Sequence, residues 1–305
     1  MNIQWYPGHM TKTRRQIEAD LKHVDIVAEI IDARIPISSR NPDIDAICAD
    51  KPRLIVLNRA DQADPAQNRA WGEYFRKKGY AVLETDAKTG RGVNQFSSVT
   101  QEVLKEQISK WREKGQVGRP VRAMVVGVPN VGKSTFINSF AGKACAKTGN
   151  KPGVTKGNQW IRLNKTLELL DTPGILWPRF EDQTVGLHLA LIGSINDQIL
   201  NREELAWELI GLLEQIYPGV LTERYGDAAE GETEDNSAWK ELSKEEQNLK
   251  ASRMLERIAK NRACLMKGGE LDLARASALL LDEFRSGKLG KLSLEQAQDY
   301  TDRVK

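Results

Sequence analysis

The chain predicts an α/β fold built on a mostly parallel six-stranded sheet, followed by a second, all-helical domain. Three observations carry that expectation. Six short β-branched, apolar runs all lie before Pro173, a Gly-rich loop sits between one of these runs and a helical pattern, and strand patterning disappears after Gly174. Runs that are apolar on both faces are what parallel strands covered by helices require.

The six runs are Asp25–Asp32, Arg53–Asn58, Tyr80–Thr85, Arg122–Gly127, Gln159–Leu163 and Leu167–Asp171. Thr11 to Val24 places Ile17, Leu21 and Val24 at helical spacing, so a helix leads into the first strand. Pro65 to Lys78 is a helical pattern between the second and third runs, as a βαβ unit needs. Asn94 to Lys114 predicts one further helix, ended by the loop signal Gly115-Gln116-Val117-Gly118-Arg119-Pro120. Gln183 to Ile216 is apolar and helical until Tyr217-Pro218-Gly219 breaks it, and Glu223 to Asp235 is acidic and Gly-containing, a linker composition. From Trp239 the pattern is helix, Gly268-Gly269, helix, turns at Gly287 and Gly290, and a final helix. The expected domains are 1–179 (α/β) and 180–305 (helical), with the acidic linker near 223–238.

A chain of 305 residues can bury the core of one ordinary domain and a smaller one. At 40% hydrophobic and 29% charged it is globular, and a formal net charge of +3 permits nucleic-acid contact only where the charge is clustered. Cys48, Cys145 and Cys264 have no metal-ligand spacing and read as thiols of a reducing compartment. Val185 to Ile195 contains His188 and is too short to span a bilayer, and the N-terminus lacks the pattern of a secretory signal. A cytoplasmic protein without membrane contact, acting as a monomer, is expected.

Gly127-Val128-Pro129-Asn130-Val131-Gly132-Lys133-Ser134 follows an apolar strand and precedes a helical segment. In that context glycines let backbone N–H groups curl round phosphate oxygens, and the helix N-terminus adds partial positive charge. Val131, Gly132 and Thr135 belong to this cradle, Lys133 is placed to bridge the β- and γ-phosphates, and the Ser134 hydroxyl to ligate Mg²⁺. Asp171 ends a strand in Asp171-Thr172-Pro173-Gly174, where it can hold Mg²⁺ through water while the Gly174 N–H senses the γ-phosphate. Lys143 to Gly157 is polar and Gly-rich, as a switch loop is; Thr155 is the leading candidate to complete the metal shell, and Thr148 is also available.

Asn58-Arg59-Ala60-Asp61 closes a strand and reads as a guanine-recognition element. A carboxylate at Asp61 can accept both N–H groups of the guanine edge, a pair adenine does not present. Arg59 stands where lysine is more common, and its planar head can still cover the base. Asp86-Ala87-Lys88, after the next strand, falls where a base-contacting loop should be. The order of these motifs is rotated: in an ordinary GTPase the phosphate loop comes first and the guanine reader near the end. The same parts in this order imply one circularly permuted P-loop GTPase domain, its original ends joined in the 115–120 loop.

Ile175 occupies the position where many GTPases place the glutamine that orients the attacking water. Another group must therefore act, or hydrolysis is slow. His9, in Trp5-Tyr6-Pro7-Gly8-His9-Met10, is the candidate, because imidazole can orient or accept from water at neutral pH, although a lone histidine can equally be structural. Asn130 can coordinate a monovalent cation, K⁺, beside the phosphates, or serve as a capping or turn residue. Near 250–267, Lys250, Arg253, Arg257, Lys260 and Lys267 fall on one helical face, opposite Ala251, Met254, Leu255, Ile258 and Leu265. Such a stripe either neutralises RNA phosphates or is a solvated face.

Together, the early Trp-Tyr-Pro-Gly-His-Met, the rotated motif order, Asn-Arg-Ala-Asp, Gly-Val-Pro-Asn-Val-Gly-Lys-Ser and Asp-Thr-Pro-Gly-Ile resemble the bacterial ribosome biogenesis GTPase A family. The likeness extends through Lys267-Gly268-Gly269-Glu270 and Phe284-Arg285-Ser286-Gly287-Lys288-Leu289-Gly290. The resemblance implies a factor that binds GTP and GDP and a late precursor of the large ribosomal subunit with its rRNA, and hydrolysis stimulated by the ribosomal particle. It also implies that His9 matches the family's proposed catalytic histidine and that K⁺ accelerates the reaction through Asn130. Tyr6 in place of phenylalanine, Arg59 in place of lysine and the acidic linker around Glu230 depart from the pattern. The alternative reading is a GTP-gated RNA-binding scaffold with negligible hydrolysis, which Ile175 permits.

Overall fold

A computed structural model describes residues 3, 9–142, 159–177, 180–226 and 239–301. Helix α1 (His9–Asp20) turns into β1 (Ile26–Asp32), followed by α2 (Pro42–Ile47), β2 (Arg53–Asn58), α3 (Pro65–Lys77) and β3 (Ala81–Thr85). Next come α4 (Phe96–Val103), α5 (Lys105–Glu113), β4 (Val121–Val126), α6 (Lys133–Ala141), β5 (Gln159–Arg162) and β6 (Leu167–Asp171). The remainder is helical: α7 (Gln183–Leu191), α8 (Arg202–Ile216), α9 (Val220–Tyr225), α10 (Lys244–Asn261), α11 (Leu273–Arg285) and α12 (Gln298–Thr301).

Each of the six apolar runs forms a strand. They join in one sheet of order β3-β2-β1-β4-β6-β5, parallel except for β5, which runs antiparallel to β6. From β1 the chain steps outward through β2 to β3, then returns across the sheet to β4 and steps the other way to β6. The strand order thus reverses between β1 and β4, and ligands of open α/β sheets bind in the crevice beyond the C-terminal ends of strands at such a point. Those ends carry Asp32 and Gly127.

One face of the sheet, with Ala28, Ile30, Leu54, Val56, Val125 and Leu169, shares a continuous apolar cluster with Leu189, Leu205, Leu209, Leu280 and Phe284 of the C-terminal helices. On the other face Ile17 of α1 and Leu21 just after it pack with Val27, Met124, Val126, Leu170 and Ile175. A third cluster joins Ile31, Ile55 and Leu57 to Trp71 and Phe75 of α3 and to Ala297 near the C-terminus.

Several helical expectations are corrected. The single helix expected over Asn94–Lys114 breaks at Leu104, whose side chain is buried there while α5 buries none of its residues. The helix expected from Gln183 to Ile216 is interrupted at Gly193, in left-handed conformation, and restarts where the Asn201 side chain accepts from the Glu203 and Glu204 N–H groups. Glu223, expected in the linker, belongs to α9, and 227–238 lies outside the described residues. Helix α10 ends at Asn261, so Lys267 falls in the following turn, where Leu265 bridges to Leu271; the expected stripe is not one continuous helical face. Helix α2 was not expected. Its signal, Asn41 before Pro42, is a side-chain cap on a proline-started helix.

Candidate nucleotide site

The phosphate loop leaves β4 at Gly127 and enters α6 at Lys133. Lys133 is buried, with its Nζ donating to the carbonyls of Gly127 (3.1 Å) and Val128 (2.8 Å). Burial pushes its ammonium down to about 8, against the opposing pull of Asp171. Ser134 and Thr135 are half-buried in the first turn of α6, beside the N–H groups that point out of the helix.

Asp171 ends β6 almost fully buried, and one carboxylate oxygen has no hydrogen-bond partner among the described residues. Burial raises its carboxyl to about 6, although Lys133 and the Thr172 N–H pull it down. An orphaned, desolvated carboxylate oxygen within the field of the Lys133 ammonium fits a divalent cation, which would supply the missing partner. Gly174 cannot carry a side chain: a Cβ there would lie 2.7 Å from Pro129 Cα and 2.9 Å from Lys133 Nζ. The segment after Asp171 is therefore pressed against the phosphate loop. Ile175 is buried in the α1-side cluster, with its N–H to the Gly127 carbonyl (3.3 Å) and its carbonyl to Asn41 Nδ2 (3.3 Å). It anchors the segment after Asp171 beside α1. The His9 side chain, Thr148 and Thr155 lie outside the described residues.

Asn58 ties three motifs together. Its Nδ2 donates to the Val131 carbonyl (2.7 Å), and its Oδ1 accepts from Thr85 Oγ1 (3.1 Å) and the Ala87 N–H (3.1 Å). A Cβ on Gly132, already at positive φ, would collide with that Asn58 amide. The Asn58–Asp61 segment and the phosphate loop thus lie against each other. Asp61 Oδ1 is buried without a partner among the described residues, as an acceptor awaiting a ligand N–H would be. Asp86 serves its own loop, accepting from the Lys88 and Thr89 N–H groups and from Thr89 Oγ1. Asp61→Asn should relax the preference for guanine over xanthine nucleotides by at least about tenfold, roughly the discrimination lost with one charge-assisted hydrogen bond, measured by competitive nucleotide binding. An unchanged preference removes Asp61 from base reading.

Sequence reasoning missed a second set of charged residues, which joins this site to the helices. Asp32 and Arg34, both buried, pair bidentately: Arg34 Nε to Asp32 Oδ1 (2.9 Å) and Nη2 to Oδ2 (2.8 Å). Burial alone would raise the Asp32 carboxyl; Arg34, with Arg59 beside it, overrides this and holds it below the usual range. Arg34 Nη1 donates to the Phe284 carbonyl (3.0 Å). Arg59, at φ 58, spreads its guanidinium between the Arg285 carbonyl (3.1 Å) and the Asn130 carbonyl (3.0 Å). The planar fork reaches both acceptors at fixed geometry, which a lysine ammonium cannot. Arg285 itself binds both oxygens of Asp197 (2.7 and 2.8 Å) and the carbonyls of Leu191 and Ala190. Asn130 Nδ2 donates to the Gly193 carbonyl and Ser194 Oγ to the Pro129 carbonyl. The available signal was an Asp-x-Arg pair just beyond an apolar strand.

His188 is also buried, its Nδ1 3.1 Å from both Ser38 Oγ and Glu295 Oε1. Of the basic stripe, Arg253, Lys260 and Lys267 are exposed, while Lys250 and Arg257 are half-buried and lie near Glu214.

Residues 122–212 match the family described as 50S ribosome-binding GTPase. The chain is 45% identical over 304 residues to the ribosome biogenesis GTPase A of Bacillus cereus, spanning 100% of this chain and 97% of that one. It is 32% identical to the protein of the same name from Thermotoga maritima, spanning 98% and 96%. The crystal structure of GNP-bound YlqF from T. maritima superposes with a TM-score of 0.62 at 28% identity, covering 94% of this chain and 99% of that one. A reversing sheet with a phosphate loop at its switch point and a buried carboxylate that fits a metal, together with near full-length identity, places the chain in the ribosome biogenesis GTPase A family, and it is a GTPase.

Proposed function

We propose that the chain is a GTP-hydrolysing assembly factor for the large (50S) ribosomal subunit, which binds precursor particles and their rRNA according to the bound nucleotide and is stimulated by the particle. The observation that carries this reading is the hydrogen-bonded junction between the nucleotide loops and the helices: Arg59 to Arg285, Asn130 to Gly193 and Ser194 to Pro129. Any movement of the phosphate loop or of Arg59 on nucleotide exchange is felt directly at the end of α11 and in the α7–α8 loop. The helical residues 180–305 act as the RNA-binding domain, with Lys250, Arg253, Arg257, Lys260 and Lys267 as its cationic contacts, and residues 1–179 as the GTPase domain. The switch after Asp171 leads straight into that helical domain, so hydrolysis resets its docking, a hinge-type switch.

In catalysis Lys133 and the α6 N–H groups hold the β- and γ-phosphates, and the Gly174 N–H reports the γ-phosphate. Ser134, Thr155 and Asp171 would hold Mg²⁺, which would supply positive charge to the phosphate oxygens. Asn130 would hold K⁺, and His9 orients the water in place of the glutamine that Ile175 replaces. The protein acts as a cytoplasmic monomer; its buried, unpaired Cys48 and Cys264 accord with a reducing compartment.

Sedimentation with ribosomal precursors should show co-migration with a non-hydrolysable GTP analogue and release with GDP. Equal behaviour with both nucleotides overturns nucleotide-gated binding. The burial of Ile175 favours a second reading, a GTP-gated scaffold with negligible hydrolysis. Turnover unchanged by added particles supports it. His9→Ala should leave GTP binding intact and lower stimulated turnover about a hundredfold or more, the scale of one general-base contribution. Equal turnover returns His9 to a structural role.

A further inference from the structure

On the α1 side of the sheet, Trp160 of β5 stands 42% exposed beside Leu170 of β6, with Arg122 and Glu168 toward the strand ends remote from the phosphate loop. Together with His23, Arg122, Arg162 and Glu168 it lines a concavity of about 310 Å³. The register explains the grouping. Arg162 pairs with Glu168 and Trp160 with Leu170 across β5–β6, while Arg122 pairs with Glu168 across β4–β6. Strand alternation then places Arg122, Glu168, Arg162 and Trp160 on one face. Glu168 holds Arg122 Nε at 3.0 Å, and that guanidinium lies 5.4 Å from the indole centroid, which braces the ring. Arg162 is exposed and makes no ion pair among the described residues. Lys22 beside His23 and Lys165 in the β5–β6 turn are exposed as well.

We propose that this surface binds an unpaired nucleotide of RNA, with the base stacked on Trp160 and the phosphate neutralised by Arg162. An aromatic ring among cations is what sequence-tolerant binding of single strands uses. A protein partner fits less well, because the cores of protein interfaces are depleted of charge, whereas every lining residue here besides Trp160 is charged or titratable. The position also has a mechanical consequence. Strand β5 follows directly on the segment containing Thr155, and its Gln159 is in register with Asp171. RNA held on β5 therefore grips the strand beside the metal-site carboxylate, a contact separate from the α10 cations. The inference rests on the RNA-binding reading above.

The test measures anisotropy of a fluorescent single-stranded oligoadenylate with the full chain bound to a non-hydrolysable GTP analogue. Trp160→Ala should weaken binding about ten- to a hundredfold, the scale of one lost base stack, while Trp160→Phe retains most of it. Arg162→Glu should reduce the salt dependence by about one phosphate contact. Unchanged affinity for the GTP analogue shows that each variant is folded. If the parent protein binds the RNA and Trp160→Ala binds it equally, this surface is excluded and the RNA reading stands. If the parent binds neither the oligonucleotide nor precursor particles, the RNA reading itself falls. Loss of particle binding by Trp160→Ala with unchanged oligonucleotide affinity marks a protein-contacting surface and overturns the proposal.

Discussion

Replacing Lys133 by alanine should abolish measurable GTP binding, a loss of at least about a hundredfold. The lysine sits buried at the head of α6, its ammonium donating to two loop carbonyls that a phosphate can replace. A hydrogen bond to a charged group contributes roughly 1.5–3 kcal/mol, and a bridging ammonium makes two such contacts. Calorimetric titration with GTP is the measurement; retained affinity refutes the phosphate-loop assignment. The same residue predicts a proton effect. With its ammonium at about 8 in the nucleotide-free protein, roughly half of the molecules carry a neutral lysine at that pH. A bound triphosphate favours the charged form, so GTP binding near pH 8 should take up a fraction of a proton. The uptake should fade toward pH 6, where the lysine is already protonated. Titrations in buffers of different ionisation enthalpy read it directly, and absence of uptake at pH 8 contradicts the desolvated lysine.

Arg34→Ala should destabilise the whole chain by about 3–5 kcal/mol. It leaves the buried Asp32 carboxylate without its bidentate partner, with only the longer contact to Arg59, and it removes the donor to the Phe284 carbonyl that ties α11 to the loop after β1. Buried ion pairs cost much more to halve than to remove. The double variant Asp32→Asn, Arg34→Met should therefore be more stable than Arg34→Met alone, a coupling that urea denaturation of the four species of that cycle would measure. Additive losses would mean that the pair stabilises little beyond its separate contacts.

How far the sequence was legible follows from the range of the interactions involved. The six strands could be read because parallel strands covered on both faces must be apolar throughout, and that condition is local. The phosphate loop could be read for a similar reason: glycines, a lysine and a helix start within eight residues make the whole cradle. Asp61 was visible by its position after a strand, and the open buried oxygen found there fits that reading. The break at Gly193 was hidden because the surrounding residues are apolar on both sides, and composition cannot separate one buried helix from two. The end of α10 at Asn261 was hidden too, since Lys267 continues the helical spacing by number alone.

Arg34, Arg59 and Arg285 show the harder limit. Arg59 was read as a cover for the base and the other two were given no role by pattern, yet their partners are carbonyls and carboxylates up to 251 positions away. Nothing in a local window announces a guanidinium that closes on a distant backbone oxygen. Asn130 is a similar case: a cation ligand or a turn residue by pattern, its amide nitrogen is given to Gly193 in the folded chain.

The amino-acid order alone determined the strands and the phosphate cradle, because each depends on residues a few positions apart, and the rotated arrangement of the motifs, because their order is the order of the chain. Only the folded chain decided that the nucleotide loops and the C-terminal helices share hydrogen bonds, and that Trp160 stands among arginines on an open sheet face. Those outcomes depend on which strand lies beside which, and that is set by burying apolar surface across the whole molecule rather than within any one segment.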